Sequence, residues 1–199
     1  MTEFGKERMR SIAGFVCGLL TIQYMAHFGA VRGEVSSFEQ WFLANSATDW
    51  MWAALWGGTA LFYASGAIPV WVQQMKTGGR LSTLENWAAA FHPWSGMIAV
   101  AFVLWHLGCF QWPSASLEGN AFAWVAAYVG SSNLIVFVYC AGIAALSLHI
   151  AWGLWRFAVS WGLATGEKSM GRMTIVSSIL FCWMVLTGLE SLAVFLGSA

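Results

Sequence analysis

Four histidines are the residues of this sequence whose type and position favour a specific chemistry. Each lies inside a long apolar stretch, although polar side chains in hydrocarbon are costly and usually functional. Neutral imidazole is a common axial ligand of haem iron, and a haem between helices takes one histidine from each of two facing helices. A single intramembrane histidine often only hydrogen-bonds between helices, but that role does not explain why no histidine lies in a loop. The four residues are His27, His92, His106 and His149.

The composition indicates that membrane-spanning elements must position these histidines. Of the 199 residues, 59% are hydrophobic and 9% are charged, and the mean hydropathy is +0.65. Soluble domains carry roughly 25% charged residues, so an integral membrane protein is predicted and a soluble enzyme is excluded. The net charge is zero, so no basic field points to a nucleic-acid partner. The four cysteines fall in apolar runs without zinc-site spacing.

Five apolar stretches are long enough to cross a bilayer as helices, each of which needs about 20 apolar residues. Backbone polar groups must be paired inside the bilayer, so the predicted fold is all-α: a single integral membrane five-helix bundle over residues 1–199, binding haem between its helices. Pro69 is expected to kink the second helix. A short helix is expected within Gly119 to Gly130. The predicted spans are residues 12–31, 50–72, 87–110, 134–159 and 175–196.

The basic residues predict which way the chain crosses the membrane. Eight of the nine Lys and Arg residues fall on one side of the predicted topology, and Arg32 falls on the other. The positive-inside rule places the larger group in the cytoplasm. We therefore expect a multi-pass protein of the inner (cytoplasmic) membrane, with its N-terminus in the cytoplasm and its C-terminus outside.

Depth along the predicted helices pairs the histidines. His27 and His106 both fall near the outer ends of their helices, so they form the first candidate haem pair. His92 falls near the inner end of the third helix and His149 midway along the fourth, so they form the second pair provided that their rings face each other. His92 and His106 are 14 residues apart, which corresponds to about 21 Å of rise and almost four turns. Two haems are therefore expected at two levels of the bundle.

The fourth and third spans carry motifs that resemble a known family. The fourth reads LHIAWGLWRFAVSWG from Leu148 to Gly162, and the third reads SGMIAVAFVLWH up to His106. Both resemble the cytochrome b membrane subunit of the succinate dehydrogenase/fumarate reductase family, in its form with one five-helix subunit and two haems b. The family pattern in the fourth span corresponds here to His149, Gly153, Trp155, Arg156, Trp161 and Gly162.

The resemblance implies a set of haem ligands. His27, which follows GFVCGLLTIQYMA, and His106 would hold the distal haem, and His149 would be one ligand of the proximal haem. The family places the other proximal ligand on the second helix, where this sequence has no histidine. Three alternatives stay open: His92 is that ligand, the proximal haem is five-coordinate on His149, or the proximal haem is absent. Two haems b are expected, and one is the alternative.

Three further polar residues are candidates for the site. Arg156 lies two turns after His149, where it either anchors the cytoplasmic end of its helix or pairs with a haem propionate. Glu190 is the only carboxylate deep in a predicted span. It either hydrogen-bonds to a neighbouring helix or relays protons to a quinone beside the outer haem. Glu39, in the first outer loop, is a weaker candidate for the quinone site.

The resemblance also implies a function and partners. The chain would be a haem-containing membrane anchor that passes electrons from an iron–sulfur subunit to membrane quinone, with menaquinone as the expected quinone. It has no dinucleotide-binding glycine motif and no cysteine cluster, so a flavoprotein subunit and the iron–sulfur subunit are expected on the cytoplasmic face. Alone, the chain should not oxidise succinate, and a higher oligomer of the complex is compatible with its sequence. The alternatives are a cytochrome b subunit of a hydrogenase or formate dehydrogenase, and a haem-free membrane anchor or transporter.

Overall fold

The described part of the chain is a bundle of helices. The structure is a computed structural model that describes residues 3–30, 54–62, 66, 84–111 and 121–197. These residues contain no strand, which confirms the predicted all-α class. The helices are α1 (Glu3–Ala30), α2 (residues 54–62), α3 (Leu84–Gln111), α4 (Ala121–Gly130), α5 (Asn133–Ser160) and α6 (Glu167–Leu196).

Four of the described helices are long and apolar enough to cross a membrane, which confirms a multi-pass membrane bundle. The predicted second span, residues 50–72, is described only in part; its residues 54–62 are helical. Pro69, with the kink expected there, lies outside the described residues. The four stretches that qualify are Arg8–Ala26, Ala90–Cys109, Asn133–Ser160 and Glu167–Leu196.

Two helices begin well before the predicted apolar spans. α1 begins at Glu3 rather than residue 12, and α6 begins at Glu167 rather than residue 175. The added turns carry Glu, Lys, Arg and Met, which are good helix formers. A search for apolar windows finds the part of a helix that lipid would cover, and it misses such charged first turns.

The central helix of the described bundle is α5, which packs against α1, α3, α4 and α6. Where α1, α5 and α6 meet, Met25, Ile143 and Met184 form a buried cluster. The helices approach closely there because Gly188 has no Cβ. A Cβ built at this position would lie 2.6 Å from the Ile143 side chain. This close packing fixes the position of α5, which carries His149.

The short helix expected within Gly119 to Gly130 is present as α4, which begins at Ala121. It does not lie loosely beside the bundle, because four residues spaced as one helix face are buried against α5 and α6. On the other side of this contact lie Tyr139, Leu192 and Phe195. The four buried residues of α4 are Phe122, Val125, Ala126 and Val129.

A glycine in a left-handed conformation ends α5. Gly162 has a φ of 72°. The Leu163 N–H donates to the Ala158 carbonyl at 2.8 Å, and the Gly162 N–H donates to the Val159 carbonyl at 3.1 Å. This pair of hydrogen bonds is the Schellman motif, which satisfies carbonyl groups at the end of the helix. The Trp-Gly pair of the fourth-span motif therefore terminates α5 and starts the turn to α6.

Replacing Gly162 by alanine should lower the free energy of unfolding by about 1–2 kcal/mol, because a Cβ is strained at positive φ. Thermal unfolding of the detergent-solubilised chain measures the effect. Gly171→Ala is the matched control, since it adds the same methyl group in α6 at a position with no heavy atom within 4 Å. Equal losses of stability in the two variants would contradict a special role for the Gly162 conformation.

Candidate functional site

Two of the four histidines, from α3 and α5, are in direct contact. The rings of His92 and His149 are stacked, with 4.2 Å between centroids and 8° between planes. His92 is 8% exposed. The Nδ1 atom of His149 lies 3.1 Å from the backbone carbonyl of His92, so the Nδ1–H group donates to that carbonyl. This hydrogen bond selects the neutral tautomer of His149 in which Nε2 has the lone pair, as iron coordination through Nε2 requires.

Each of these histidines also faces a glycine of the opposite helix. A Cβ built at Gly96 in α3 would lie 2.6 Å from Cε1 of His149, and a Cβ at Gly153 in α5 would lie 3.8 Å from Cε1 of His92. Each glycine stands four residues after the histidine of its own helix. The contacts show that α3 and α5 run antiparallel, so two His-x-x-x-Gly segments face each other. We call His92, Gly96, His149 and Gly153 the His92 layer.

The backbone carbonyl of His92 ties α3 to α5. It accepts the His149 hydrogen bond and a second one from Ser95 Oγ, at 2.9 Å. Pro93 follows within the same helix. Proline has no N–H, so the helix loses one of its internal hydrogen bonds at this turn. The polar contacts of Ser95 and His149 therefore add hydrogen bonds to α3 beside this proline.

His106 is held by two tyrosines from two other helices. Its Nε2 atom lies 3.0 Å from Tyr24 Oη on α1, and its Nδ1 atom lies 3.1 Å from Tyr139 Oη on α5. The ring of Phe102 stacks on His106 with 5.8 Å between centroids. We call Tyr24, His106 and Tyr139 the His106 layer. It lies 14 residues along α3 from His92, which is about 21 Å of helix rise.

The predicted partner of His106 lies on the helix that contacts it. The backbone of His27 is helical and belongs to α1, but its side chain is outside the described residues. His27 comes three residues after Tyr24, the α1 residue bonded to His106. Glu39, the weaker quinone-site candidate, also lies outside the described residues.

The two other predicted site residues are on exposed faces. Arg156 is exposed on α5, two turns beyond His149. Glu190 is exposed on α6, whereas Thr187 and Ser191 beside it are buried.

Sequence reasoning missed the two tyrosines of the His106 layer. The sequence contains four Tyr, and two of them bond to one histidine. A hydroxyl inside an apolar span needs a polar partner, so Tyr24 and Tyr139 carried a usable signal. Their partner could not be deduced, because it depends on how three helices cross.

The donor set of the His92 layer fits haem, whose iron two imidazoles can hold. Among the described residues, no three His, Cys, Asp or Glu side chains form a group that could hold a metal ion. The His92 layer offers two imidazoles at one level of facing helices, beside glycines that leave room for a close approach. Axial ligands approach iron through nitrogen from opposite faces of a porphyrin. His92 and His149 would hold such a group after their stacked rings separate.

A comparison with curated proteins finds a relative from the family that the fourth-span motif resembles. Over 138 residues the chain is 25% identical to the succinate dehydrogenase cytochrome b558 subunit of Bacillus subtilis (strain 168), a match that covers 68% of this chain. The matched part spans slightly less than two thirds, 66%, of that relative's length. No protein-family model matches the chain. The similarity confirms the resemblance to the cytochrome b subunit of the succinate dehydrogenase family that the fourth-span motif indicated.

Proposed function

We propose that this chain is the haem b-containing membrane anchor of a succinate dehydrogenase or fumarate reductase, and that it carries electrons between an iron–sulfur subunit and membrane quinone. The observation that carries the proposal is the His92 layer, in which two imidazoles from facing apolar helices meet beside two glycines. The named relative is a cytochrome b subunit of succinate dehydrogenase. Its similarity to this chain supports the same role.

In this proposal the histidines act as two pairs of iron ligands. His92 and His149 would hold the iron of one haem, and His27 and His106 would hold that of the other. Haem iron held by two imidazoles accepts and donates single electrons. His149 keeps its Nε2 lone pair available because its Nδ1–H is bonded to the His92 carbonyl.

The contact between His92 and His149 favours one of the three alternatives for the proximal haem. A six-coordinate haem on His149 would take its second ligand from a facing helix, and the second predicted span contains no histidine. The ring that faces His149 is that of His92 on α3. We therefore propose that His92 replaces the ligand that related proteins take from their second helix.

Proton uptake and subunit assembly complete the proposal. Arg156 is exposed near the end of α5, where its guanidinium suits a haem propionate at the edge of the bundle. Glu190 is an exposed residue of α6, and its carboxylate is the first candidate for relaying protons to a quinone. Glu39 is the second candidate for that quinone site. The flavoprotein and iron–sulfur subunits bind at the cytoplasmic face, where the N-terminus lies.

The test is the haem and subunit content of the chain purified from its membranes. We expect the sharp α band of low-spin haem b in reduced-minus-oxidised spectra, two haems per chain, and co-purifying flavin and iron–sulfur subunits. A correctly assembled but colourless preparation would contradict the proposal and favour a haem-free anchor or transporter. Haem together with hydrogenase or formate dehydrogenase subunits would contradict the assigned complex.

A further inference from the structure

Tyr139 holds His106 in a fixed orientation from the α5 side. Its side chain is 6% exposed. Its ring packs against Phe102 and Trp105, with centroid distances of 5.5 and 5.3 Å. These contacts leave the phenol ring little freedom to move. The hydroxyl, 3.1 Å from His106 Nδ1, is therefore a fixed partner of that nitrogen.

The two nitrogens of His106 point to different helices. Nδ1 is bonded to Tyr139 on α5, and Nε2 points to Tyr24 on α1, the helix that also carries His27. A neutral imidazole has one N–H group and one nitrogen with a lone pair. Iron held by His106 and a ligand on α1 would need the lone pair on Nε2, which would place the proton on Nδ1. The identity of the group bonded to Nδ1 decides this tautomer.

We propose that Tyr139 is a positioning residue for a haem held by His106. Its oxygen accepts a hydrogen bond from the Nδ1–H group, keeps the proton on Nδ1, and directs the Nε2 lone pair toward α1. While no iron is bound, the Tyr24 hydroxyl donates to Nε2, as the 3.0 Å distance allows, and iron bound at Nε2 would replace this hydrogen bond. This inference rests on the proposed function, since it concerns the haem assigned to His27 and His106.

The hydrogen bond has a consequence for the reduction potential of that haem. A bonded Nδ1–H makes the imidazole a stronger electron donor, which raises its basicity as an iron ligand and favours ferric iron. Without the acceptor, ferrous iron becomes relatively more stable. His92 lies 14 residues from His106 along α3, which is about 21 Å of helix rise, so a haem held by His92 and His149 should not respond.

Tyr139→Phe tests the inference in the full chain, titrated redox-potentiometrically in its own membranes. Both haems should stay bound. The two proteins are compared at the potential where the wild-type haem assigned to His106 is half reduced. At that potential the variant should have a ferrous-to-ferric ratio about fivefold higher, which is the effect of one ordinary hydrogen bond. The other haem should keep its potential. Tyr128→Phe is the matched control, because that hydroxyl belongs to the same aromatic cluster but lies 3.1 Å from Cys109 Sγ.

Two results would overturn the inference: unchanged potentials in Tyr139→Phe, or equal shifts of both haems, which would indicate a general structural change. Where Tyr139→Phe assembles poorly, Tyr139→Gln and Tyr139→Leu replace it. These side chains have similar size, but only Gln offers an oxygen acceptor, so Leu should raise the potential and Gln should not. Equal potentials in this pair also overturn the inference. A wild-type chain without haem would instead overturn the proposed function itself.

Discussion

Replacing His92 by alanine is expected to remove one of two haems or to convert it from low-spin to high-spin. The variant takes away the imidazole that stacks on His149 at 4.2 Å, which we assign as the second axial ligand. His149→Ala should affect the same haem and leave the other unchanged. Haem-to-chain stoichiometry and the spin state of the ferric protein, measured by absorbance and electron paramagnetic resonance, report the change.

A control at the same level of α3 separates loss of the ligand from loss of packing. Ser95→Ala removes the hydroxyl that donates to the His92 carbonyl but keeps both imidazoles, so haem content and spin state should stay as in the wild type. Free imidazole added to His92→Ala should restore the low-spin spectrum by entering the space left by the side chain. An unchanged haem count and low-spin spectrum in His92→Ala would show that His92 is not a ligand.

Gly142→Ala should destabilise the bundle by about 1–3 kcal/mol, the usual cost of overpacking a core. A Cβ at this position in α5 would overlap the ring of Phe102 in α3. The two helices, or the ring, would have to move. Thermal unfolding of the solubilised chain measures the loss of stability.

Two further variants show whether the overlap is the cause. Gly108→Ala adds a methyl group in α3 where no heavy atom lies within 4 Å, so it should not destabilise the chain. Phe102→Leu makes space beside Gly142, so the double variant should lose less stability than the sum of the single ones. Strictly additive losses would mean that the two positions do not interact in this way.

The sequence predicted the class of protein and the described transmembrane helices because both depend on local composition. It also ranked the four histidines above other residues, since each lies within an apolar stretch. It left open whether His149 faces His92. That contact joins residues 57 positions apart, and it depends on the rotation of two helices about their axes. The glycine contacts at Gly96 and Gly142 fix this rotation, and no local pattern reveals it.

The helix ends and the tyrosines show the same limit. The start of α1 at Glu3 follows from charged residues that form helix well, and an apolar window does not register them. The bonds of Tyr24 and Tyr139 to one histidine require α1, α3 and α5 to meet at one level. Such a meeting point depends on tertiary packing, whereas periodicity reports on one helix at a time.

The His-x-x-x-Gly segments of α3 and α5 have the same spacing, and this restricts where residues can be inserted into or deleted from the chain. One residue inserted between His149 and Gly153 would rotate the following part of α5 by about 100° and shift it by 1.5 Å. His149 could then no longer contact Gly96 while Gly153 contacts His92, because both contacts depend on the same four-residue spacing in the two helices. Insertions and deletions should therefore be tolerated in the connections between helices and rejected inside these two segments.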